Sequence, residues 1–232
     1  MTTPRNPDLS RRQLLRTGLA AASAAVLAGG LDLTFSSAAQ AQSNLTPDAA
    51  LAELMEGNKR FTSGKMTAHE HDLVILKQHT EQKQEPFAAV LSCADSRVPV
   101  EIVFDQTIGH IFVTRVAGNV ITPEIIGSLE YGAAVLGTKV ILVMGHANCG
   151  AVKATMQGKD VPGQISSLFP HIQPGVDQGG DNLEAATKAN ALVQAKLLRE
   201  SSTVVAGMVK AGTVKVTAGY YDLGTGAVTL LE

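Results

Sequence analysis

Apolar residues along this chain form short runs that alternate with stretches of helical spacing. The runs at 87–91 and 139–145 are continuous or nearly so, and 110–116 is a third segment of strand character. Continuous apolar runs of this length are typical of strands that are buried on both faces of a parallel sheet. These three segments therefore predict neighbouring strands of one central sheet.

The segments between and after the strands predict helices. Thr46-Pro47-Asp48 reads as a helix start, with proline at the first helical position, and this helix should end near 61–64. Further helices are expected at 69–82, 123–136, 183–200 and on to about 210, and a strand pair at 214–220 and 227–231. A polar segment rich in glycine, proline and glutamine, at 173–180, precedes the long helix. The alternation predicts an α/β fold, a mainly parallel central sheet flanked by helices, without an internal repeat or a second domain.

The first 41 residues have the features of an export signal rather than of a fold. Arg11-Arg12 precedes an alanine-rich apolar stretch at 19–31 and then Ala39-Gln40-Ala41, which resembles a twin-arginine signal. Cleavage after Ala41 would leave a single mature domain at 42–232, in a bacterial periplasm or in a thylakoid lumen. The alternative is a permanent membrane anchor, but the stretch is shorter than the ~20 residues that a span needs. We therefore expect no stable membrane insertion after processing.

Composition and charge narrow the classes of function. The chain is 45% apolar and carries 19 basic against 21 acidic residues, with no run of five like charges. An aliphatic content of this size supports a folded core and argues against disorder. The balanced charge gives no footprint for nucleic acid, so no nucleic-acid partner is expected.

The two cysteines of the chain lie in two polar clusters, 93–97 and 146–150, each of which directly follows a predicted strand. Ligands of parallel sheets bind past the carboxyl ends of the strands. Cys93, His146 and Cys149 could supply the three protein ligands of a catalytic zinc site, with Asp95 close by. A disulfide between the cysteines, or two inert buried thiols, are the plainer alternatives.

Four motifs in order resemble the β-class carbonic anhydrases: Cys-Ala-Asp-Ser-Arg-Val at 93–98, Arg-Val-Ala-Gly-Asn at 115–119, Ser-Leu-Glu-Tyr at 128–131 and Gly-His-Ala-Asn-Cys-Gly at 145–150. The resemblance extends from 57–61 to 219–222. It implies one Zn²⁺ per chain held by Cys93, His146 and Cys149, and reversible hydration of carbon dioxide to bicarbonate and a proton. It also implies a catalytic pair, Asp95 and Arg97, in which Asp95 binds the metal in a closed state only. A structural ion pair is the alternative for these two residues.

The same resemblance implies a substrate site and an assembly. Gln84, Phe112 and Tyr131 match residues that bind carbon dioxide or bicarbonate, in a cleft shared within a homodimer or a dimer of dimers. A solvated glutamine and ordinary core aromatics are the alternatives for these three. No catalytic role is assigned to the five histidines other than His146, which lie at 69, 71, 79, 110 and 171.

Two positions depart from the family pattern. Ala147 follows the metal histidine where a serine or threonine is common, which puts an outer hydrogen bond in doubt. Val90 stands where the bicarbonate-regulated subgroup has a tryptophan, so we expect an open, unregulated form at neutral pH. Two thiolate ligands should leave the bound water less acidic than three imidazoles would, so activity should rise above neutral pH. The rival functions are hydrolysis of carbon disulfide or carbonyl sulfide on the same scaffold, and a non-catalytic, bicarbonate-binding zinc protein.

Overall fold

The sheet predicted from the apolar runs lies at the centre of the molecule. A computed structural model describes residues 43–68, Val74 and 83–232. The predicted export signal and, apart from Val74, the predicted helix at 69–82 lie outside this part of the chain. Within it, one sheet contains five strands: β1 (Ala88–Ser92), β2 (Ile111–Arg115), β3 (Val140–His146), β4 (Lys215–Tyr221) and β5 (Val228–Leu231).

The strands lie in the order β2-β1-β3-β4-β5, and all pairs are parallel except β4 with β5. The predicted strands and the closing antiparallel pair are thus confirmed within one or two residues. The chain passes from β1 outward to β2 and then returns to the other side of β1 with β3. The carboxyl ends of β1 and β3 therefore lie side by side at the point where the strand order reverses, which is where such sheets bind ligands.

Helices cover both faces of the sheet: α1 (Pro47–Thr62), α2 (Val100–Val103), α3 (Pro123–Glu130), α4 (Gly150–Gln157), α5 (Phe169–Gly179), α6 (Leu183–Ser201) and α7 (Thr203–Lys210). Short 3₁₀ segments occur at Ala117–Asn119 and Gly163–Leu168. Thr46 caps α1 as predicted, because its hydroxyl accepts the Ala49 amide at 3.2 Å. Across the described stretches, no helix is both long and apolar enough to cross a membrane.

The predicted helix at 123–136 is α-helical only to Glu130. Residues Tyr131–Val135 form a π-helical turn, in which the Leu136 amide donates to the Tyr131 carbonyl five residues earlier. Gly137 then ends the element with a left-handed φ of 78°. The helix thus forms, with a wider last turn that apolar spacing does not predict.

The polar segment at 173–180 is helical as far as Gly179, although it contains Pro174. Its glycines allow α5 to lie directly against α6. A Cβ atom on Gly175 would stand 2.5 Å from the Asn190 Cα, which is closer than real atoms approach. Tertiary packing therefore requires glycine at a position where helix propensity alone predicts the end of a helix.

Successive residues of the central strands point to opposite layers. Val90, Leu142 and Met144 pack with α1 and α2, whereas Leu91 and Ile141 pack with the layer that contains α3, α6 and α7. A third buried cluster lies at the carboxyl ends of the strands and includes both cysteines. The core thus holds the two candidate cysteine ligands against the end of the sheet.

Asn58 of α1 connects distant parts of the fold. Its amide nitrogen donates to the carbonyls of Val103 at 3.0 Å and Gly226 at 2.9 Å, and its oxygen accepts the Val228 amide at 2.8 Å. The side chain is buried, so these bonds satisfy an amide that would otherwise be costly to bury. One side chain thereby ties α1 to α2 and to β5.

Candidate metal centre

The three candidate ligands lie on two loops that leave neighbouring strands at the same edge of the sheet. Cys93 directly follows β1, His146 is the last residue of β3, and Cys149 immediately precedes α4. Between the last two, Asn148 adopts a left-handed φ of 53°, a conformation that asparagine tolerates better than most residues. The backbone thus turns sharply enough to bring both side chains to one point.

The ligand atoms of these three residues all lie within 4.8 Å of one another. Cys93 is 4% exposed and the other two are fully buried, and both cysteines are free thiols, so the alternative disulfide is not formed here. His146 Nδ1 lies 2.9 Å from the Ala147 carbonyl, whereas its buried Nε2 has no hydrogen-bond partner. Nε2 is therefore left available for a metal.

His146 has an outer hydrogen-bond partner although residue 147 is an alanine and not a serine or threonine. The outer partner of the histidine ring is the Ala147 backbone carbonyl, which any residue at that position supplies. Such a bond fixes the ring orientation and leaves the opposite nitrogen as the ligand atom.

The two thiols strongly affect each other. A hydrogen bond from Cys149 lowers the pKa of Cys93 to about 4, against the effect of burial. The same contact, together with burial, raises the pKa of Cys149. The pair therefore shares one proton in the absence of a cation. A divalent metal displaces such a proton and favours two thiolates.

Asp95 and Arg97 form a two-pronged ion pair beside this cluster. Arg97 Nε donates to Asp95 Oδ1 at 2.9 Å and Nη2 donates to Oδ2 at 2.8 Å, while the Arg97 amide also reaches Oδ1 at 2.9 Å. The guanidinium holds the pKa of the Asp95 carboxyl well below its usual range. Asp95 Oδ2 lies 3.9 Å from His146 Nε2, so the carboxylate stands next to the ligand set and is held there by Arg97.

Comparisons with known proteins agree with this geometry. A family model described as carbonic anhydrase matches residues 88–228. A carbonic anhydrase of Mycolicibacterium smegmatis is 37% identical over 81% of this chain and 94% of its own length. The chain belongs to the β class of the carbonic anhydrase family. "Carbonic anhydrase 2" of Mycobacterium tuberculosis is 32% identical, over 82% of this chain and 95% of that protein.

Solved structures of β-carbonic anhydrases share the fold. The Coccomyxa enzyme in complex with acetazolamide is 26% identical, covers 78% of this chain and 86% of its own, and has a TM-score of 0.59. A tetrameric β-carbonic anhydrase of Sordaria macrospora is 21% identical, covers 78% and 96%, and has a TM-score of 0.59, which shows a common fold. The α/β prediction with a mainly parallel sheet is therefore confirmed.

As a carbonic anhydrase, this chain is a zinc enzyme that reversibly hydrates carbon dioxide to bicarbonate and a proton. The residues of the cluster fit zinc. Two thiols and an imidazole are the donor types that zinc prefers, and three protein ligands leave a position open for chemistry. The partnerless Nε2 of His146 is an independent sign of fit, since buried polar atoms are rarely left unpaired.

The predicted substrate residues occupy different places. The rings of Phe112 and Tyr131 lie 6.2 Å apart at a tilted angle, so the structure brings these two together. Tyr131 is 47% exposed. Gln84 is also exposed and precedes β1, and no described contact connects it to the metal cluster. The structure therefore brings together two of the three predicted substrate residues.

Two contacts at the metal cluster were not predicted from the sequence. Arg115, at the end of β2, donates to the backbone carbonyls of Cys93 at 3.0 Å and Asp95 at 2.5 Å. The Gly118 amide donates to Cys93 Sγ at 3.3 Å. Both residues belong to the Arg-Val-Ala-Gly-Asn motif, which is visible in the sequence. Their contacts with Cys93 are not, because these contacts depend on β2 lying beside β1.

Proposed function

We propose that Cys93, His146 and Cys149 hold the single zinc ion, and that Asp95 and Arg97 are the catalytic pair. The observation that carries this assignment is the two-pronged Asp95–Arg97 contact beside three clustered ligand atoms. These residues would hold zinc in a position where it would lower the pKa of a coordinated water toward about 7, and would so supply a nucleophile for carbon dioxide at neutral pH.

Arg97 decides what Asp95 does. Because the guanidinium binds both carboxylate oxygens, Asp95 stays ionised and is held away from the metal position. An ionised carboxylate accepts hydrogen bonds, so Asp95 can orient a hydrogen-bond donor beside the substrate. Arg115 supports the arrangement because it fixes the backbone on both sides of residue 94. In the proposed closed state, Asp95 would release Arg97 and would serve as the fourth protein ligand.

Phe112, Tyr131 and Gln84 form the substrate cleft in this proposal, completed by a second copy of the chain in a homodimer. The exposed apolar side chains of Tyr131 and Val135 (47% and 52%) support a covered surface there, and β2 is an edge strand beside them. Sedimentation of the zinc-loaded protein across a hundredfold range of concentration tests the dimer. A monomer at all concentrations would contradict it.

We further propose that residues 1–41 act as a twin-arginine signal and that the mature enzyme works in the bacterial periplasm. The paired Arg11-Arg12 before an apolar stretch supports this, as does the Ala-Gln-Ala at 39–41. Replacing both arginines with lysine should abolish export, and the mass of the wild-type mature protein should correspond to a start at Gln42. Secretion that is unaffected by the double change would exclude this route.

Stopped-flow hydration of carbon dioxide from pH 6 to 9, with zinc measured in the same sample, tests the assignment of the site. We expect activity that increases with pH at one zinc per chain, and loss of activity without loss of zinc when Asp95 is replaced by asparagine. Full zinc occupancy without hydration would instead favour carbon disulfide, carbonyl sulfide or bicarbonate binding, each of which can be assayed on the same sample.

A further inference from the structure

The sulfur atom of Cys93 receives a hydrogen bond from a backbone amide that is held in an unusual position. Gly118 donates this bond at 3.3 Å from within the 3₁₀ segment at Ala117–Asn119. Gly118 has a φ of 75° and Asn119 one of 45°, so two consecutive residues are left-handed. A segment of this kind needs support from its surroundings to stay in one conformation.

That support comes from two amide side chains of α6. Asn190 Nδ2 donates to the Gly118 carbonyl at 2.9 Å. Gln194, one turn later, donates to Asn190 Oδ1 at 3.1 Å and accepts the Ile121 amide on its own oxygen at 2.8 Å. Gln194 also donates to the His171 carbonyl at 2.8 Å. The two amides thus hold the backbone on both sides of Asn119.

Neither amide side chain is exposed to solvent. Both side chains are fully buried, and leaving α6 would cost each of them its hydrogen bonds without access to water. Helix α5 packs closely against Asn190 at Gly175, where a Cβ atom would lie only 2.5 Å from the Asn190 Cα. A pair of polar residues on the buried face of a helix is expensive, and aliphatic residues would pack there without that cost.

We propose that Asn190 and Gln194 are positioning residues that set the charge on the Cys93 sulfur by holding the Gly118 amide against it. This inference rests on the proposed ligand set. An N–H donor draws electron density from a thiolate and fixes its direction, and outer contacts of this kind tune the metal that the thiolate binds. The side chains act at one remove, through backbone position, and touch neither the metal site nor the substrate.

Replacing zinc with cobalt(II) gives a readout that does not depend on turnover, because thiolate ligands produce a sulfur-to-cobalt charge-transfer absorption. Without the Gly118 hydrogen bond the sulfur is more easily oxidised, so this band should move to longer wavelength in Asn190→Leu. The dissociation constant for zinc, measured by competition with a chelator, should rise by about 10-fold or more. Gln194→Leu leaves the bond from Asn190 to Gly118 in place, so it should shift the band in the same direction by a smaller amount.

Leu198→Ala is the matched control. Leu198 is fully buried on the same helix but packs in the aliphatic layer, so its truncation lowers stability without touching the amide pair. Its cobalt band should stay at the wild-type wavelength. An unshifted band in Asn190→Leu that binds cobalt would overturn the proposal, and if that variant does not fold, an unshifted band in Gln194→Leu does so. A wild-type protein without any sulfur-to-cobalt band would instead contradict the proposed ligand set.

Discussion

Replacing Asn58 with leucine tests the connection between α1, α2 and β5, because leucine keeps the branched shape and the number of side-chain heavy atoms but removes every side-chain hydrogen bond. The change orphans the Val103 carbonyl and the Val228 amide, which are buried, and the Gly226 carbonyl, which is partly solvated. A buried backbone group without a partner costs about 1–3 kcal/mol. Two such groups, with a smaller contribution from the third, should lower the free energy of unfolding by about 3–5 kcal/mol.

Urea unfolding followed by circular dichroism, with zinc at saturation, measures this loss directly. In a thermal melt it should appear as a fall of about 10 °C in Tm, since a domain of this size loses roughly 2–4 °C per kcal/mol. Lys59→Ala is the control, because Lys59 follows Asn58 on the same helix but its side chain is exposed. This substitution should change the free energy of unfolding by no more than about 0.5 kcal/mol. A loss below about 1 kcal/mol in Asn58→Leu would refute the reasoning.

Three further outcomes are expected. Arg97→Lys keeps the positive charge but loses the two-pronged contact with Asp95, so turnover should fall by about tenfold or more at unchanged zinc content, and equal turnover would remove Arg97 from its role. Removing zinc with a chelator should lower Tm, and free zinc at 1,000 times its Kd should restore about 4 kcal/mol, as seen by calorimetry. Burial disfavours the charge on Asp105, but hydrogen bonds from Arg60 and two backbone amides outweigh it and lower the pKa of this carboxyl. The stability advantage of the wild type over Asp105→Asn should therefore be complete well above about pH 4, the unfolded value, and should be lost as the pH falls through the folded value; a gap that does not narrow on acidification would contradict this.

The sequence predicts the central strands well because their pattern has a local cause. β1 and β3 are buried on both faces, so almost every residue in them must be apolar, and the run itself marks the strand. The cysteines and His146 could be assigned together because both clusters follow such runs. The helix α5 was missed, since Pro174 and Gly175 indicate a break until one knows that α6 lies against them.

The parts of the site that sequence does not predict are those defined by contacts between distant segments. Arg115 reads as one residue of a motif, and only its position on β2 shows that it holds the Cys93 and Asp95 carbonyls. Asn190 looks like an ordinary residue of an amphipathic helix, because nothing in its local pattern reveals the Gly118 carbonyl 72 positions earlier. Gln84 is the opposite case, since the family resemblance selects it, but no contact among the described residues connects it to the site.

The ligand loops are continuations of the two strands at the middle of the sheet, and this has a consequence for how long the metal stays bound. Ser92 is hydrogen-bonded to strands on both sides, and β3 is likewise covered from both sides by β1 and β4. Such strands open only with the global unfolding of a domain, whereas loops and edges open far more often. Separating Cys93 from His146 requires that β1 and β3 come apart, so the ligands stay together when a single metal–ligand bond breaks, and the ion should rebind more often than it escapes.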